Sequence, residues 1–313
     1  MLHFDEFKNR LFLISDYSVP YIYCMDNSIK KLLPARIISA LDKLDCQRVY
    51  EIRLRQSGVS VNYGGRFFGL SDIGLCSVGF KVSAAEIEDV VLKASGFSIY
   101  AVNDQIKNGF LSLSSGVRIG ICGEVVDGKT IKNFTSLNIR FPHEVKGCAD
   151  KVVSIIAKSR GCYNTLIVSP PGCGKTTLLR DLIRQLSDKG NNVLVADERY
   201  EIAAYHGGAS LDVGKNTDVI SGGAKSFAFN QGIRYMRPDV LAADEIMSDE
   251  DIKSVQSACA GGVNVIATLH ASGSDFKHRF GDSGLIERIV VLSDKGGPGH
   301  IEGVFDGKYG RIA

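Results

Sequence analysis

One glycine-rich segment of the sequence, Ser169-Pro-Pro-Gly-Cys-Gly-Lys-Thr-Thr177, has the residue types needed to hold phosphate groups. It follows the apolar run 165–169 and precedes the run 178–186, whose leucine and isoleucine side chains share one helical face. A triphosphate site needs converging backbone N–H groups and a helix N-terminus, and glycine lets the backbone approach the phosphates closely. We therefore expect nucleotide phosphates to bind the residues Pro170, Pro171, Gly172, Cys173, Gly174, Lys175, Thr176 and Thr177.

Two side chains of this loop have distinct predicted roles. Lys175 would reach the β- and γ-phosphates, and the Thr176 hydroxyl would hold Mg²⁺. The general pattern GxxxxGK[ST] begins with glycine, whereas this sequence has Ser169 at that position. The triplet GKT alone is a weak signal, because an unrelated glycine turn could contain it. The preceding strand and the following helix supply the context that a phosphate loop requires.

A second apolar run, Arg237-Pro-Asp-Val-Leu-Ala-Ala-Asp-Glu245, ends in two adjacent carboxylates about 70 residues after Lys175. In this interpretation Asp244 holds the Mg²⁺ ion through its hydration shell, and Glu245, on the opposite pleat, polarises the attacking water. The alternative is that both side chains only cap the following helix. The position downstream of a phosphate loop favours the first interpretation.

The apolar run 193–197 also ends in a carboxylate and is followed by further acidic residues. Because open α/β sheets bind ligands at the carboxyl ends of their strands, Glu198 and Glu201 compete with Glu245 for the role of general base. A surface ion pair between Glu198 and Arg199 is the alternative interpretation.

Three basic side chains near these strand ends are further catalytic candidates. His270 ends the apolar run 265–270, and we expect it to sense the γ-phosphate, with a structural histidine as the alternative. Arg234 and Arg237 lie just upstream of the run that ends in Asp244, and either could stabilise transition-state charge as an arginine finger. Salt bridges at a helix end are the alternative for both arginines.

These candidates require a parallel sheet to bring them together. From about residue 148 onward, apolar β-branched runs alternate with helical stretches, which is typical of βαβ units. The predicted strands of this part are 165–169, 193–197, 239–244, 263–268, 286–292 and 300–305. We predict an α/β fold in which residues 148–313 form a RecA-like P-loop ATPase domain with a mostly parallel sheet.

The first part of the chain has a different pattern of short strands and helices, and we place the domain boundary near Gly147. Its predicted elements are a hairpin over 50–70, a helix that begins after Ser83 with Glu86 completing a capping box, and strands over 116–126 and 131–141. Residues 1–147 are therefore predicted to form a smaller N-terminal α+β domain.

Composition restricts the classes of function. The 313 residues are 44% hydrophobic and 23% charged, as in globular proteins. No apolar run approaches the ~18 residues of a membrane-spanning helix, so we expect a cytoplasmic chain with no transmembrane segment of its own. The eight cysteines include no CxxC pair, which argues against a zinc ribbon. A net charge of +2 is too small to imply a nucleic-acid or membrane surface.

The joint pattern of motifs resembles the stage III sporulation protein AA family and, more broadly, the type II and type IV secretion ATPases. The likeness covers roughly residues 45 to 310. It is carried by EIRLRQSG at 51–58, GVRIGICGEV at 116–125, TSLNIRFPHEVKGCAD at 135–150, PPGCGKTTLLRDLIRQLS at 170–187, PDVLAADE at 238–245, ATLHA at 267–271 and GPGHIEGVFDGK at 297–308.

The resemblance implies an ATPase that uses ATP and Mg²⁺, forms a homo-oligomer, in particular a hexameric ring, and powers a secretion-like channel complex between mother cell and forespore. Membrane-embedded channel proteins would be its partners and would hold it at the membrane. The residues that match the family's motifs are Gly174, Lys175, Thr176 and Thr177 in the phosphate loop, Asp244 and Glu245 in the acidic strand end, and Glu198 in the acidic box.

The resemblance also implies a contribution from the first domain. In such rings this domain lends positive charge to a neighbour's nucleotide, and the candidates here are Arg53, Arg55, Arg118 and Arg140. The sequence departs from the family pattern at Ser169, where glycine is usual, and at Lys215, where arginine is usual.

Two other functions stay open at this point. A nucleic-acid-dependent ATPase is an alternative, because related P-loop proteins remodel DNA or RNA and Lys277-His278-Arg279 is a small basic cluster. The near-neutral net charge argues against nucleic acid as a partner. A nucleotide-binding scaffold that does not hydrolyse ATP would require Glu198 and Glu245 to be misplaced.

Overall fold

The computed structural model describes residues 21–22, 27–113, 116–205, 211–270, 284–295 and 299–313. The elements up to residue 144 are β1 Tyr21–Ile22, α1 Asn27–Leu32, α2 Ala35–Leu41, β2 Val49–Arg55, β3 Ser60–Tyr63, β4 Arg66–Ser71, β5 Gly74–Cys76, α3 Ala84–Ala94, α4 Asn103–Lys107, β6 Phe110–Ser112, β7 Arg118–Val126, β8 Thr130–Arg140 and β9 His143–Glu144. The later elements are α5 Asp150–Ile156, β10 Thr165–Ser169, α6 Lys175–Asp188, β11 Val193–Asp197, β12 Thr217–Ser221, α7 Lys225–Tyr235, β13 Val240–Ala243, α8 Asp249–Ala260, β14 Asn264–His270, β15 Arg288–Ser293 and β16 His300–Asp306.

An antiparallel sheet forms the first half of the chain, with seven strands in the order β5-β4-β3-β2-β8-β7-β6. Buried apolar residues alternate with more exposed residues along the strands, so the sheet has one apolar and one polar face. In β2, Ile52 and Leu54 are buried, whereas Arg53 and Arg55 lie half-buried on the other face. Apolar residues of α1 to α4 pack on the face that carries Ile52, so one hydrophobic core lies between these helices and the sheet.

Helix α3 begins and ends where the sequence predicts. The Ser83 hydroxyl accepts a hydrogen bond from the Glu86 backbone N–H at 3.2 Å, and the Glu86 carboxylate accepts one from the Ser83 N–H at 2.9 Å. This reciprocal capping satisfies two N–H groups that a helix start leaves free. Gly96, with φ of 63°, turns the chain away at the other end. The predicted capping box is therefore confirmed.

A second seven-stranded sheet forms the rest of the chain, in the order β12-β11-β13-β14-β10-β15-β16. All its strand pairs are parallel except β15 with β16. Helices α5 and α6 contribute to the core on one face and α7 and α8 to the core on the other, which explains why β10, β11 and β13 are buried along their whole length. None of the helices in the described ranges is long and apolar enough to cross a membrane.

All six strands predicted for the second half are present, and the predicted fold class is confirmed. The sequence reading missed β12, which lies at the sheet edge. No residue of β12 is fully buried, and only Val219 and Ile220 are aliphatic, so the strand lacks the apolar run that marks its neighbours.

The predicted domain boundary at Gly147 stays a prediction. The first hydrophobic core includes residues up to Phe141, and the next one begins at Ala149. The two halves nevertheless touch, since an ion pair joins Lys146 to Asp212 at 2.5 Å.

Gly79 provides a test of packing in the first half. A Cβ atom at this position would lie 1.8 Å from the backbone oxygen of Val59 and 2.9 Å from the backbone nitrogen of Leu70. We expect Gly79→Ala to lower the free energy of unfolding by about 2 kcal/mol, because the backbone must shift. Urea denaturation followed by circular dichroism measures this loss.

Gly120→Ala is the matched control in the same half. A Cβ atom at Gly120 would make an ordinary contact of 3.7 Å with the Cβ of Asn138. Its effect should stay within about 0.5 kcal/mol. Equal denaturation midpoints for the two variants would contradict the close packing at Gly79.

Candidate functional site

Strand register brings the predicted segments to one edge of the parallel sheet. Ser169, at the end of β10, pairs with His270, at the end of β14. Ala243 of β13 pairs with Ala267 of β14 on one side and with Ala196 of β11 on the other. The residues that follow these positions therefore converge at the carboxyl ends of the strands, where ligands bind in open α/β sheets.

The phosphate-loop sequence forms a tight turn between β10 and α6. Gly172 and Gly174 have φ angles of 77° and 86°, which side chains with a Cβ rarely adopt. The side chain of Cys173, between them, is buried and belongs to the core of the α6 face. The loop is thus anchored at its centre, and the N-terminus of α6 begins at Lys175.

Lys175 is buried, and its ammonium has four neighbouring acceptors. The Nζ atom lies 3.1 Å from the Ser169 carbonyl oxygen, 3.1 Å from the Ser169 hydroxyl, 3.0 Å from the Pro170 carbonyl oxygen and 2.9 Å from Nδ1 of His270. Burial lowers the pKa of Lys175, against the opposing charges of Asp244 and other acidic groups.

Ser169 has a defined role in this arrangement. Its hydroxyl donates a hydrogen bond to the Pro170 carbonyl oxygen at 2.7 Å and accepts one from Lys175. The serine that replaces the usual glycine is therefore a ligand of the lysine ammonium. In the sequence, Ser169 is distinguished only by its departure from the GxxxxGK[ST] pattern.

Asp244 is held by two threonine hydroxyls. The Thr176 hydroxyl donates to Oδ2 of Asp244 at 2.5 Å, and the Thr268 hydroxyl donates to Oδ1. Thr268 also accepts the backbone N–H of Glu245 at 2.8 Å. Thr268 was absent from the sequence-based candidates, although it is a polar residue in an apolar strand and lies buried there.

The oxygen atoms of Thr176 and Asp244 fit a Mg²⁺ ion. Both are hard ligands, and Mg²⁺ in nucleotide sites keeps one or two protein oxygens with waters and phosphate oxygens completing its shell. In the described residues, no group of three or more His, Cys, Asp or Glu side chains could hold a metal ion by itself. A metal here would therefore depend on phosphate oxygens.

Glu245 lies between two basic side chains. One carboxylate oxygen is 2.7 Å from Nη1 of Arg199, and the other is 2.8 Å from Nε2 of His270. Burial favours a higher pKa for Glu245, but the hydrogen bond from His270 and the charges of Arg199 and Lys175 outweigh it, so the pKa is lowered. The backbone of Glu245 is left-handed, with φ of 50°.

His270 joins the lysine to this carboxylate. Because an ammonium can only donate, Nδ1 of His270 accepts from Lys175, and Nε2 carries the proton that is donated to Glu245. The hydrogen bonds therefore assign a neutral imidazole with its proton on Nε2. His270, which was predicted to sense the γ-phosphate, thus contacts both Lys175 and Glu245. These two residues were predicted to act on the same phosphate group.

The carboxylates after β11 have different environments. Asp197 is buried and accepts four backbone N–H groups, from residues 201 and 202 on Oδ1 and from 203 and 204 on Oδ2. Burial raises the pKa of Asp197, against these hydrogen bonds. Asp197 thus fixes the acidic loop, which we define as residues 198–204. Glu198, the predicted candidate, forms an ion pair with Lys225 of α7.

One of the four first-half arginine candidates reaches this site within the same chain. Arg118 forms an ion pair with Glu201 of the acidic loop. Arg53 instead pairs with Glu51, and Arg55 donates to Ser60. Arg140 is the register partner of Arg118 across β7 and β8.

A small open pocket lies where these groups meet. Its lining consists of Ala196, Asp197, Glu198, Arg199, Glu201, Lys225, Asp244 and Glu245. The three general-base candidates named from the sequence, Glu198, Glu201 and Glu245, therefore line one pocket. Which of them acts as a base stays a prediction.

Arg234 and Arg237 lie away from this pocket. Arg234 is in the last turn of α7, and Arg237 precedes β13, so both are at the opposite edge of the sheet from Asp244. Both side chains are exposed. The structure therefore does not bring these two arginines to the pocket, and their role as arginine fingers stays a prediction. The basic cluster 277–279 lies outside the described residues.

Comparisons with known proteins agree with this geometry. Residues 25–312 match the family described as Sporulation stage III, protein AA. Stage III sporulation protein AA of Bacillus subtilis (strain 168) is 30% identical over 306 residues, which are 91% of this chain and 96% of that protein.

Two solved structures share the fold. The ATPase DotB of Legionella pneumophila aligns with a TM-score of 0.51 and 17% identity over 78% of this chain and 72% of its own. The pilus retraction motor PilT, solved with bound ADP, aligns with a TM-score of 0.57 and 18% identity over 83% of this chain and 78% of its own. The predicted resemblance is confirmed, and the fold is that of RecA-like ATPases.

Asp197 provides a test of how the acidic loop is held. In Asp197→Asn one of the two acceptor oxygens becomes an amide nitrogen, so two of the four backbone N–H groups lose their acceptor. We expect a loss of about 2 kcal/mol in the free energy of unfolding. Asp218→Asn, an exposed carboxylate in β12, should change it by no more than about 0.5 kcal/mol. Urea denaturation compares the two, and similar midpoints would contradict the anchoring role.

Proposed function

This chain belongs to the sporulation stage III, protein AA family, and we propose that it is an ATP-hydrolysing motor subunit that drives a secretion-like channel complex during endospore formation. The observation that supports this proposal is that Lys175, Thr176, Asp244 and Glu245 converge at one edge of the sheet. Hydrogen bonds join Lys175 to Glu245 through His270, and Thr176 to Asp244. The names of the Bacillus subtilis relative and of the ADP-bound motor PilT support the sporulation and motor parts of the proposal.

In this function Lys175 exchanges acceptors when ATP binds. Its present partners are carbonyl oxygens, a hydroxyl and an imidazole, all of them neutral. Phosphate oxygens carry negative charge, so they add an ion-pair attraction to the ammonium that these neutral acceptors lack. The phosphates would therefore take over the lysine while the loop residues 170–177 surround them with N–H groups.

Thr176 and Asp244 would hold a Mg²⁺ ion together with the phosphate oxygens. The ion supplies positive charge that neutralises the phosphates and orients the terminal group. Thr268 keeps Asp244 oriented through its hydroxyl hydrogen bond. These three side chains come from α6, the end of β13 and β14, so the sheet itself sets their spacing.

Glu245 is the better candidate to orient the attacking water. Its lowered pKa keeps the carboxylate ionised at neutral pH, as an acceptor for water must be. Phosphoryl transfer depends on positioning more than on strong base strength, so a low pKa is compatible with this role. Glu198 instead pairs with Lys225 of α7 and lies outside the hydrogen-bonded chain that runs from Lys175 through His270 to Glu245.

Arg118 would supply positive charge to the phosphates of its own chain, since it forms an ion pair with Glu201, which lines the pocket. Arg234 and Arg237, at the other edge of the sheet, would act only on a neighbouring subunit. A hexameric ring that works through membrane-embedded channel partners is the assembly that we propose for this motor.

ATP turnover by Lys175→Ala tests the proposed function directly. We expect the rate to fall on the order of a hundredfold or more, because a preorganised cation that contacts the phosphates is lost. Lys189→Ala, at the exposed C-terminal end of α6, is the matched control and should retain the wild-type rate. A steady-state phosphate-release assay measures both. Wild-type turnover by Lys175→Ala would rule out the proposal.

A pair of isosteric variants tells the two candidate bases apart. Glu245→Gln should lower kcat by about a hundredfold or more and leave KM for ATP within a few-fold, because a water-orienting group acts in the chemical step. Glu198→Gln should lower kcat by less than about tenfold, since Glu198 is not hydrogen-bonded to the groups that lead from Lys175 to Glu245. The reverse order of the two losses would assign the role to Glu198.

A further inference from the structure

The ion pair between Arg118 and Glu201 connects the two sheets beside the nucleotide pocket. Arg118 is the first residue of β7, and Glu201 lies in the acidic loop after β11. Their side chains are only 19% and 23% exposed, so water screens this pair less than it would a surface pair. The Phe110 ring lies 4.9 Å from the Arg118 guanidinium and covers another side of it.

Glu201 is held rigidly by its backbone. Its N–H donates to Asp197 at 2.7 Å, and its carbonyl oxygen accepts from Nη2 of Arg180 at 2.6 Å. Arg180 is a buried residue of α6, the helix that begins at the phosphate loop. The backbone of Glu201 is therefore fixed by the parallel-sheet half, and its carboxylate pairs with the first half through Arg118.

A second close contact lies beside the ion pair. A Cβ atom at Gly116, with φ of 76°, would be 2.9 Å from the Cβ of Ala204 and 3.3 Å from a ring carbon of Pro142. The turn before β7 thus packs directly on the acidic loop. Two independent contacts, one apolar and one ionic, hold β7 against the loop that lines the pocket.

Arg118 is a largely buried cation among charges of both signs. Burial and the neighbouring Arg140 and Arg199 lower the pKa of Arg118 to about 10, and Asp197 and Glu245 offset this only in part. A cation in such a place gains from any additional anion that comes within reach. Because Glu201 and Glu245 line the same pocket, the terminal phosphate of ATP would be such an anion.

We propose that Glu201 is a positioning residue that holds Arg118 as an exchangeable counterion, so that the terminal phosphate of ATP must compete with Glu201 for this arginine. The inference rests on the proposed function and extends it. When ATP binds, Arg118 passes from the carboxylate to the phosphate, and the first half moves with it because Arg118 starts β7. ADP lacks the terminal phosphate and leaves the ion pair in place.

The test is a double-mutant cycle with two nucleotide probes, the Mg²⁺ complex of the non-hydrolysable analogue AMP-PNP and ADP, measured by calorimetry. Glu201→Gln should tighten AMP-PNP binding about tenfold, because a neutral amide competes less for Arg118, and should leave ADP binding unchanged. Arg118→Gln should weaken AMP-PNP binding by a similar factor and again spare ADP. The double variant should behave like Arg118→Gln.

Asp212→Asn is the matched control. It removes the carboxylate of another ion pair between the two halves, the one that Asp212 forms with Lys146. It should leave the binding of both nucleotides unchanged. A purely structural role for Glu201 would instead weaken AMP-PNP and ADP together.

Three results would overturn the inference: unchanged AMP-PNP affinity in Glu201→Gln, the same gain in the Arg118→Gln background, or an equal effect on both nucleotides. If Glu201→Gln fails to fold, Arg118→Gln decides alone, and an equal loss for both probes or no loss overturns the inference. Failure of the proposed function is distinguishable, because the wild-type protein would then bind AMP-PNP no better than Lys175→Ala does.

Discussion

The buried ammonium of Lys175 is the charge on which the carboxyl edge of the parallel sheet depends. An ammonium that leaves water loses several kcal/mol of hydration unless the protein replaces it. The replacements come from Ser169 at the end of β10 and His270 at the end of β14, which are register partners. A slip of one residue between these strands would turn one of the two side chains to the other face, so strand register and lysine solvation support each other.

The same ammonium is connected to the hydrolytic candidate through one imidazole. His270 accepts from Lys175 and donates to Glu245, whose other oxygen is held by Arg199. A phosphate that draws Lys175 away from His270 removes one of the two bonds that fix the ring. The orientation of Glu245 is therefore coupled to phosphate binding without any movement of the strands.

The parts of the site predictable from sequence are those that depend on local pattern. The loop around Lys175 and the strand that ends in Asp244 were identified because each joins an apolar run to a polar end. Thr268 was not given its role, because its partner Asp244 is 24 residues away and becomes a neighbour only through strand register. The partners of Asp197 and of the Ser169 hydroxyl are close in sequence, but they depend on loop conformations that leave no apolar periodicity. The edge strand β12 was missed because it lacks the apolar run of the strands beside it.

The acidic loop shows how adjacent carboxylates acquire different functions. Asp197 is buried and held by four backbone N–H groups. Glu198 and Glu201 have no such shell, so each pairs with a cation from a different element, Lys225 of α7 and Arg118 of β7. Because ion pairs are either formed or exchanged, a change at the pocket that competes for one of these cations moves a whole element rather than deforming the loop gradually. Asp197 holds the acidic loop rigidly. An exchange of ion-pair partners at the pocket would therefore move α7 in the second half or β7 in the first half, and not the loop itself.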